Sequence, residues 1–185
     1  MRIGINYIST IPNELTEKLV SSNLIQVLKF PGTRCNKQEW YAFMENRPKK
    51  SVADIHGLIS FVPAWNERNI LDKIDKHLNK KLFQKTKSTY FSTHIGRFNE
   101  DGDAFQNFEE NLTEMRKLFP NIRMGGENVF SLVDANGKAN YMTIESSSPE
   151  FINKMWNKLD FGVFDLAHAV LASRDYGVSF KEYVN

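Results

Sequence analysis

Four times along this chain a short apolar run closes on or near a residue able to ligate a metal. The interval hardly varies: His56, His94, Glu127 and Asp165 are spaced by 38, 33 and 38 positions. Each interval has room for one strand, one helix and two loops. The pattern therefore predicts repeated βα units, with parallel strands joined by right-handed crossovers. An open doubly wound sheet and a closed barrel both satisfy that alternation. In an open sheet, residues on strands several positions apart diverge. In a barrel, all the C-terminal strand ends face one mouth, where barrel active sites lie. The regular placement of these residues favours the barrel.

Six segments read as strands: Arg2–Ile8, Leu24–Phe30, Ala53–Ser60, Ser88–Ile95, Ile122–Val129 and Phe161–Leu166. They are short, nearly continuous apolar runs, as expected of strands covered on both faces. Helical spacing falls between them. Asn13 can cap a helix running through Val20, and Lys37–Asn46 carries Trp40, Phe43 and Met44. Asn66–Phe83 places Ile70, Leu71, Ile74, Leu78 and Leu82 on one stripe, and Asp103–Leu118 does the same with Phe105, Phe108, Leu112, Met115 and Leu118. Ser148-Pro149-Glu150 reads as a cap with proline in the first turn, opening a helix to Leu159. In Phe130–Ile144, Asp134-Ala-Asn136-Gly137 predicts a tight turn and a small inserted β-hairpin near 130–145.

The 185 residues fit one domain, 1–185, and 41% hydrophobic with 14 phenylalanines gives enough apolar mass for a packed core. A net charge of +2 gives no general attraction to nucleic acid or membrane. One cysteine, Cys35, rules out an internal disulfide. Met1–Thr10 lacks the long apolar run of a signal peptide, and no run approaches the roughly 18 residues of a membrane helix. A cytoplasmic protein is the expectation. The densest basic run, Lys73, Lys76, Lys80, Lys81, Lys85 and Lys87, ends a helix and leads into a strand. That puts it at the N-terminal strand face, where it reads as a solvated helix surface. His77 inside it reads as surface too.

Imidazoles and carboxylates together suit Zn, Mn or Fe(II). Asp165 and His168 form D-x-x-H, close enough to bend toward one ion. Each residue also has a plainer reading. His56 alone could be a hydrogen-bonded loop residue, Glu127 after Gly125-Gly126 a turn residue, and Asp165 a helix cap. The recurrence at comparable points in successive units favours a shared site.

Several of these motifs resemble the xylose isomerase-like barrel superfamily, which includes sugar-phosphate isomerases and epimerases and endonuclease IV-type AP endonucleases. Gly162-Val-Phe-Asp165-Leu-Ala-His168-Ala169 is similar to its Asp-x-x-His-Ala strand, and Gly126-Glu127-Asn128 to its Glu-Asn strand end. Thr93-His94-Ile95-Gly96 is similar to its His-Pro-Gly strand end, and Ile55-His56-Gly57 to a histidine of the endonuclease branch. The resemblance implies an α/β, TIM-barrel-like fold with His56, His94, Glu127, Asp165 and His168 as ligands of a divalent metal. Glu127 would be bridging and catalytic. Asn128, Arg97 and Arg174 are the expected substrate contacts.

A whole barrel of this kind has eight strands and about 250 residues. About six βα units are legible here, and Ser179–Asn185 reads as the helix before a seventh strand. The expectation is an incomplete barrel, completed by a partner fragment or a second copy, or persisting as a non-catalytic relic. The favoured substrate is a sugar or sugar-phosphate. Phosphodiester hydrolysis at abasic DNA is the alternative. His56 supports it, but only Arg97, Lys138 and Arg174 supply positive charge near the mouth.

Overall fold

The computed structural model describes residues 2, 4–6, 13–24, 26–31, 48, 51–57, 65, 72, 76–96, 104–130 and 147–184. The expected helix over 37–46, the expected hairpin over 130–145 and Arg97 lie outside them, save for Phe130. The described strands are β1 (Gly4–Asn6), β2 (Val27–Pro31), β3 (Val52–His56), β4 (Tyr90–His94), β5 (Arg123–Glu127) and β6 (Phe161–Val163). The described helices are α1 (Asn13–Ser21), α2 (Lys76–Thr86), α3 (Ala104–Leu118), α4 (Pro149–Trp156), α5 (Leu166–Asp175) and α6 (Phe180–Val184). Strand order follows chain order, β1-β2-β3-β4-β5-β6. The chain forms two compact units, one of Met1–Val62 with Ile74–Phe91, the other of Pro63–Lys73 with Ser92–Asn185.

In the first unit β1, β2 and β3 pair in parallel, with Gly4 opposite Val27, Val27 opposite Val52 and Pro31 opposite His56. Leu28, Ala53 and Ile55 are buried, and so are Lys29, Asp54 and His56. Successive strand residues point to opposite faces, so both faces of this ladder are covered. That explains why these strands read as nearly continuous apolar runs, interrupted by Lys29, Asp54 and His56, rather than strictly alternating ones. β3 stops at His56, short of the expected Ser60, because Gly57 takes a left-handed φ of 74°. Helix α1 buries Thr16 and Val20, one turn apart, and ends at Ser21; just beyond it Asn23, with a φ of 59°, closes the helix in the manner of a left-handed cap. Helix α2 runs past the expected Phe83 to Thr86. It buries Asn79, Leu82 and Phe83 and leaves Lys80, Lys81 and Lys85 exposed, with Lys87 exposed just beyond. Phe83 meets Phe91 edge-on at 6.2 Å, and Ser88 donates to the Ala53 carbonyl at 2.7 Å.

In the second unit β5 and β6 pair in parallel, with Gly125 opposite Phe161 and Glu127 opposite Val163. Helix α3 buries Phe108, Leu112 and Met115, followed by Phe119. Helix α4 starts as its sequence predicts: the Ser148 hydroxyl accepts from the Phe151 N–H at 3.1 Å, and Pro149 fills the first turn. Trp65, fully buried, is held at three points. Its backbone N–H donates to the His94 carbonyl at 2.9 Å, its indole N–H donates to the Gly125 carbonyl at 2.8 Å, and its own carbonyl accepts from Asn111 Nδ2 at 2.8 Å. The last expected strand is shorter than its apolar run, because Asp165 leaves the sheet to cap α5. Two helices rather than one follow β6. Helix α6 packs back through Tyr183, which clusters with Ala169, Ala172, Phe130 and Tyr176 and donates its hydroxyl to the Ser147 carbonyl at 2.5 Å. Phe164, Leu166, Val170, Val178, Phe180 and Val184 are large apolar residues left exposed along this stretch.

Candidate metal centre

The site in the second unit begins with two glycines. A Cβ at Gly125 would collide with the Phe161 ring, and one at Gly126 with Ile95 and Leu159. These glycines are therefore strand residues whose missing side chains admit neighbours from both faces, not members of a turn. Gly125 and Glu127 lie on the same face of β5. The Phe161 ring thus forms an apolar floor one layer below Glu127.

Glu127 is only 2% exposed. A carboxylate so far from water needs partners that replace its hydration. One is His168, whose Nδ1 lies 3.4 Å from Glu127 Oε1. The Glu127 carbonyl accepts from the Ile95 N–H at 3.1 Å, which fixes the end of β5 beside the end of β4. His94 closes β4, and its ring centroid stands 5.6 Å from that of His168. Phe130 covers the His168 ring from another side, with centroids 4.8 Å apart.

Asp165 is the helix cap that its position allowed. Its Oδ1 accepts from the N–H groups of Ala167 and His168, at 2.8 and 3.1 Å. Those bonds occupy one oxygen and leave the other for a further role. The cap also sets His168 in the first turn of α5, where its Nδ1 lies 2.8 Å from the Asn128 carbonyl. The two oxygens near Nδ1, that carbonyl and Glu127 Oε1, are both acceptors. Nδ1 therefore carries the proton in the neutral ring, and Nε2 holds the lone pair.

One ligand atom from each of Glu127, Asp165 and His168 lies within 4.8 Å of those of the other two. A metal with bonds of about 2.0–2.2 Å keeps its donors roughly 3–4 Å apart, so modest side-chain movement closes this set on an ion. Two carboxylates and an imidazole are a donor set suited to Mn, Zn or Fe(II). The residues fit the expected metal.

The other expected residues fall differently. His56 ends β3 in the first unit and is 8% exposed. Arg174 is exposed in the last turn of α5, roughly 9 Å along the helix axis from His168 at 1.5 Å per residue. Asn128, the expected substrate contact beside Glu127, is fully buried, and both ends of its side-chain amide are bound to the Asp165 backbone. Sequence reading missed Trp65, Phe130 and Phe161. The only local sign was an aromatic residue beside a ligand-bearing segment. Their contacts join positions distant in the chain.

No protein-family profile matches this chain, and no curated protein does. Solved structures do. A D-tagatose 3-epimerase-like protein is 17% identical with a TM-score of 0.59, and the match covers 100% of this chain and 70% of that one. A xylose isomerase domain protein from Planctomyces limnophilus is 13% identical with a TM-score of 0.51, covering 100% of this chain and 71% of that one. The chain shares with these structures a partial TIM-barrel-like α/β fold.

Proposed function

We propose, from a fold shared with epimerase-like and isomerase-like barrels, that this chain is a divalent-metal-dependent protein acting on a sugar or sugar-phosphate. The observation that carries the reading is the convergence of Glu127, Asp165 and His168 at the C-terminal ends of β5 and β6. These three would hold the ion. His94, whose ring adjoins that of His168, is assigned as a further ligand, and His56 is assigned on strand-end position alone. A bound Zn, Mn or Fe(II) would supply Lewis acidity toward neighbouring sugar oxygens. The chain's own groups do the rest. Glu127, withdrawn from water beside an imidazole, is assigned proton transfer as well as ligation. Phe161 and Phe130 keep water from the floor and side of the site. Asp165 fixes His168 through the first turn of α5.

Metal content after loading with Zn or Mn tests this, comparing wild type with Glu127→Ala, Asp165→Ala, His168→Ala, His94→Ala and His56→Ala. Wild type is expected to retain metal and the first three variants to lose it. Equal, near-zero metal in all six proteins would sink the reading. A panel of ketoses and their phosphates then tests epimerisation. The phosphodiesterase alternative draws on His56 and predicts instead that loaded protein cleaves a duplex with one abasic site. Association with a second copy or a complementary fragment is read by light scattering. The exposed apolar residues from Phe164 to Val184 are its support.

A further inference from the structure

We propose that Asn128 is the positioning residue of this centre, holding Asp165 and His168 in place rather than meeting substrate. The inference rests on the metal reading for one of its two readouts only. Asn128 follows Glu127 directly, and its N–H continues the β5–β6 ladder by donating to the Val163 carbonyl at 3.1 Å. Beyond Val163 the sheet ends, but the pairing does not. The Asn128 side-chain amide takes over the part of a peptide group. Its Oδ1 accepts from the Asp165 N–H at 2.5 Å, and its Nδ2 donates to the Asp165 carbonyl at 3.0 Å. A primary amide offers an acceptor and a donor in one plane at this reach.

The consequence passes along a closed ring of hydrogen bonds. The amide fixes the Asp165 backbone. Asp165 Oδ1 fixes the His168 N–H. The His168 ring then returns to Asn128, its Nδ1 donating to the Asn128 carbonyl at 2.8 Å. One residue thereby orients the capping carboxylate and selects the imidazole tautomer whose Nε2 is free to ligate. Such orienting partners typically change metal affinity by about 10–100-fold when removed. Asn128 is fully buried, so its amide has no water to fall back on.

Nitrogen-15 NMR of metal-free protein reads the tautomer, with the His168 signals assigned by their loss in His168→Gln. In wild type the neutral ring is expected to carry its proton on Nδ1. In Asn128→Ala the Nε2–H form should gain population, and Zn(II) affinity, measured by competition with a chromogenic chelator, should fall about 10–100-fold. If the alanine variant does not fold, Asn128→Asp keeps the shape while replacing the donor to the Asp165 carbonyl with an oxygen. The same tautomer shift is expected there. A wild-type ring protonated at Nε2 would overturn the proposal, as would a tautomer unchanged in both variants. A proton on Nδ1 that is lost in the variants, with no Zn(II) binding by any protein, would support the positioning role and overturn the metal reading.

Discussion

The two ends of the β5–β6 ladder are tied by similar means and differ in what is left over. At the N-terminal end Asp160 pairs with Met124 twice. Its N–H donates to the Met124 carbonyl at 2.8 Å, and its Oδ2 accepts from the Met124 N–H at 2.7 Å. At the C-terminal end Asn128 does the corresponding work on Asp165. The remaining groups around Asp160 face solvent-exposed arginines: Arg116 pairs with its Oδ1 at 3.0 Å and Arg123 donates to its carbonyl at 3.3 Å. The groups around Asn128 face one another: the buried Glu127 carboxylate with the partly buried Asp165 carboxylate and His168 imidazole. Burial is what separates a lock that only joins strands from one that also gathers ligands. In the exposed lock, unpaired polar groups fall back on water. In the buried one they must answer each other, or an ion.

The strongest way to break this contrast is to fill the floor. Gly125→Ala forces a methyl into the Phe161 ring and should destabilise by about 1–3 kcal/mol, seen as an earlier urea midpoint. For a chain of this size that is roughly 2–4 °C in Tm per kcal/mol. Pairing it with Phe161→Val should recover part of the loss; no recovery would mean that the ring is not the obstacle. A smaller effect is expected at the open end. Asp160→Ala should cost about 1 kcal/mol and leave Zn(II) binding unchanged, since its ion pair is largely solvated. A large loss of metal in that variant would erase the distinction between the ends. The smallest effect lies outside both. Burial, with Tyr176 and Asp175 adding to it, pushes the Tyr183 phenol up to about 12 from an ordinary 10.0. Stability linked to it is whole below pH 10 and declines as pH rises toward 12, because the unfolded chain loses that proton first. Tyr183→Phe should flatten this stretch of the pH profile.

The strands were legible because both their faces are buried, which leaves long apolar runs in the sequence. That held for β2 and β3, where Leu28 and Ile55 share the interior with Lys29 and Asp54. Strand ends were legible only as nearby ligand candidates: the apolar runs extend to Ser60, Ile95 and Val129, whereas β3, β4 and β5 stop at His56, His94 and Glu127 themselves. The end of β6 was not, because Asp165 exchanges the sheet for a cap, a choice settled by hydrogen bonds to Ala167 and His168. What the glycines before Glu127 accomplish was hidden too. Their reasons are side chains distant in sequence: the Phe161 ring, 36 positions away, for Gly125, and Ile95 and Leu159 for Gly126. The role of Asn128 was hidden likewise, since its partners lie 37 and 40 residues downstream. Local patterns report burial and periodicity. They carry no record of side chains that complete the backbone of a distant neighbour.

Two of the three tryptophans bond successive carbonyls of one strand, Trp65 to Gly125 and Trp156 to Gly126, both at 2.8 Å. The strand they grip is the one that presents Glu127. Indole emission responds to hydrogen bonding at the ring N–H and to nearby charge. The chain therefore carries its own optical gauge, seated immediately before Glu127. Titration with a colourless ion such as Zn(II), followed by intrinsic fluorescence, would watch β5 directly and without any label.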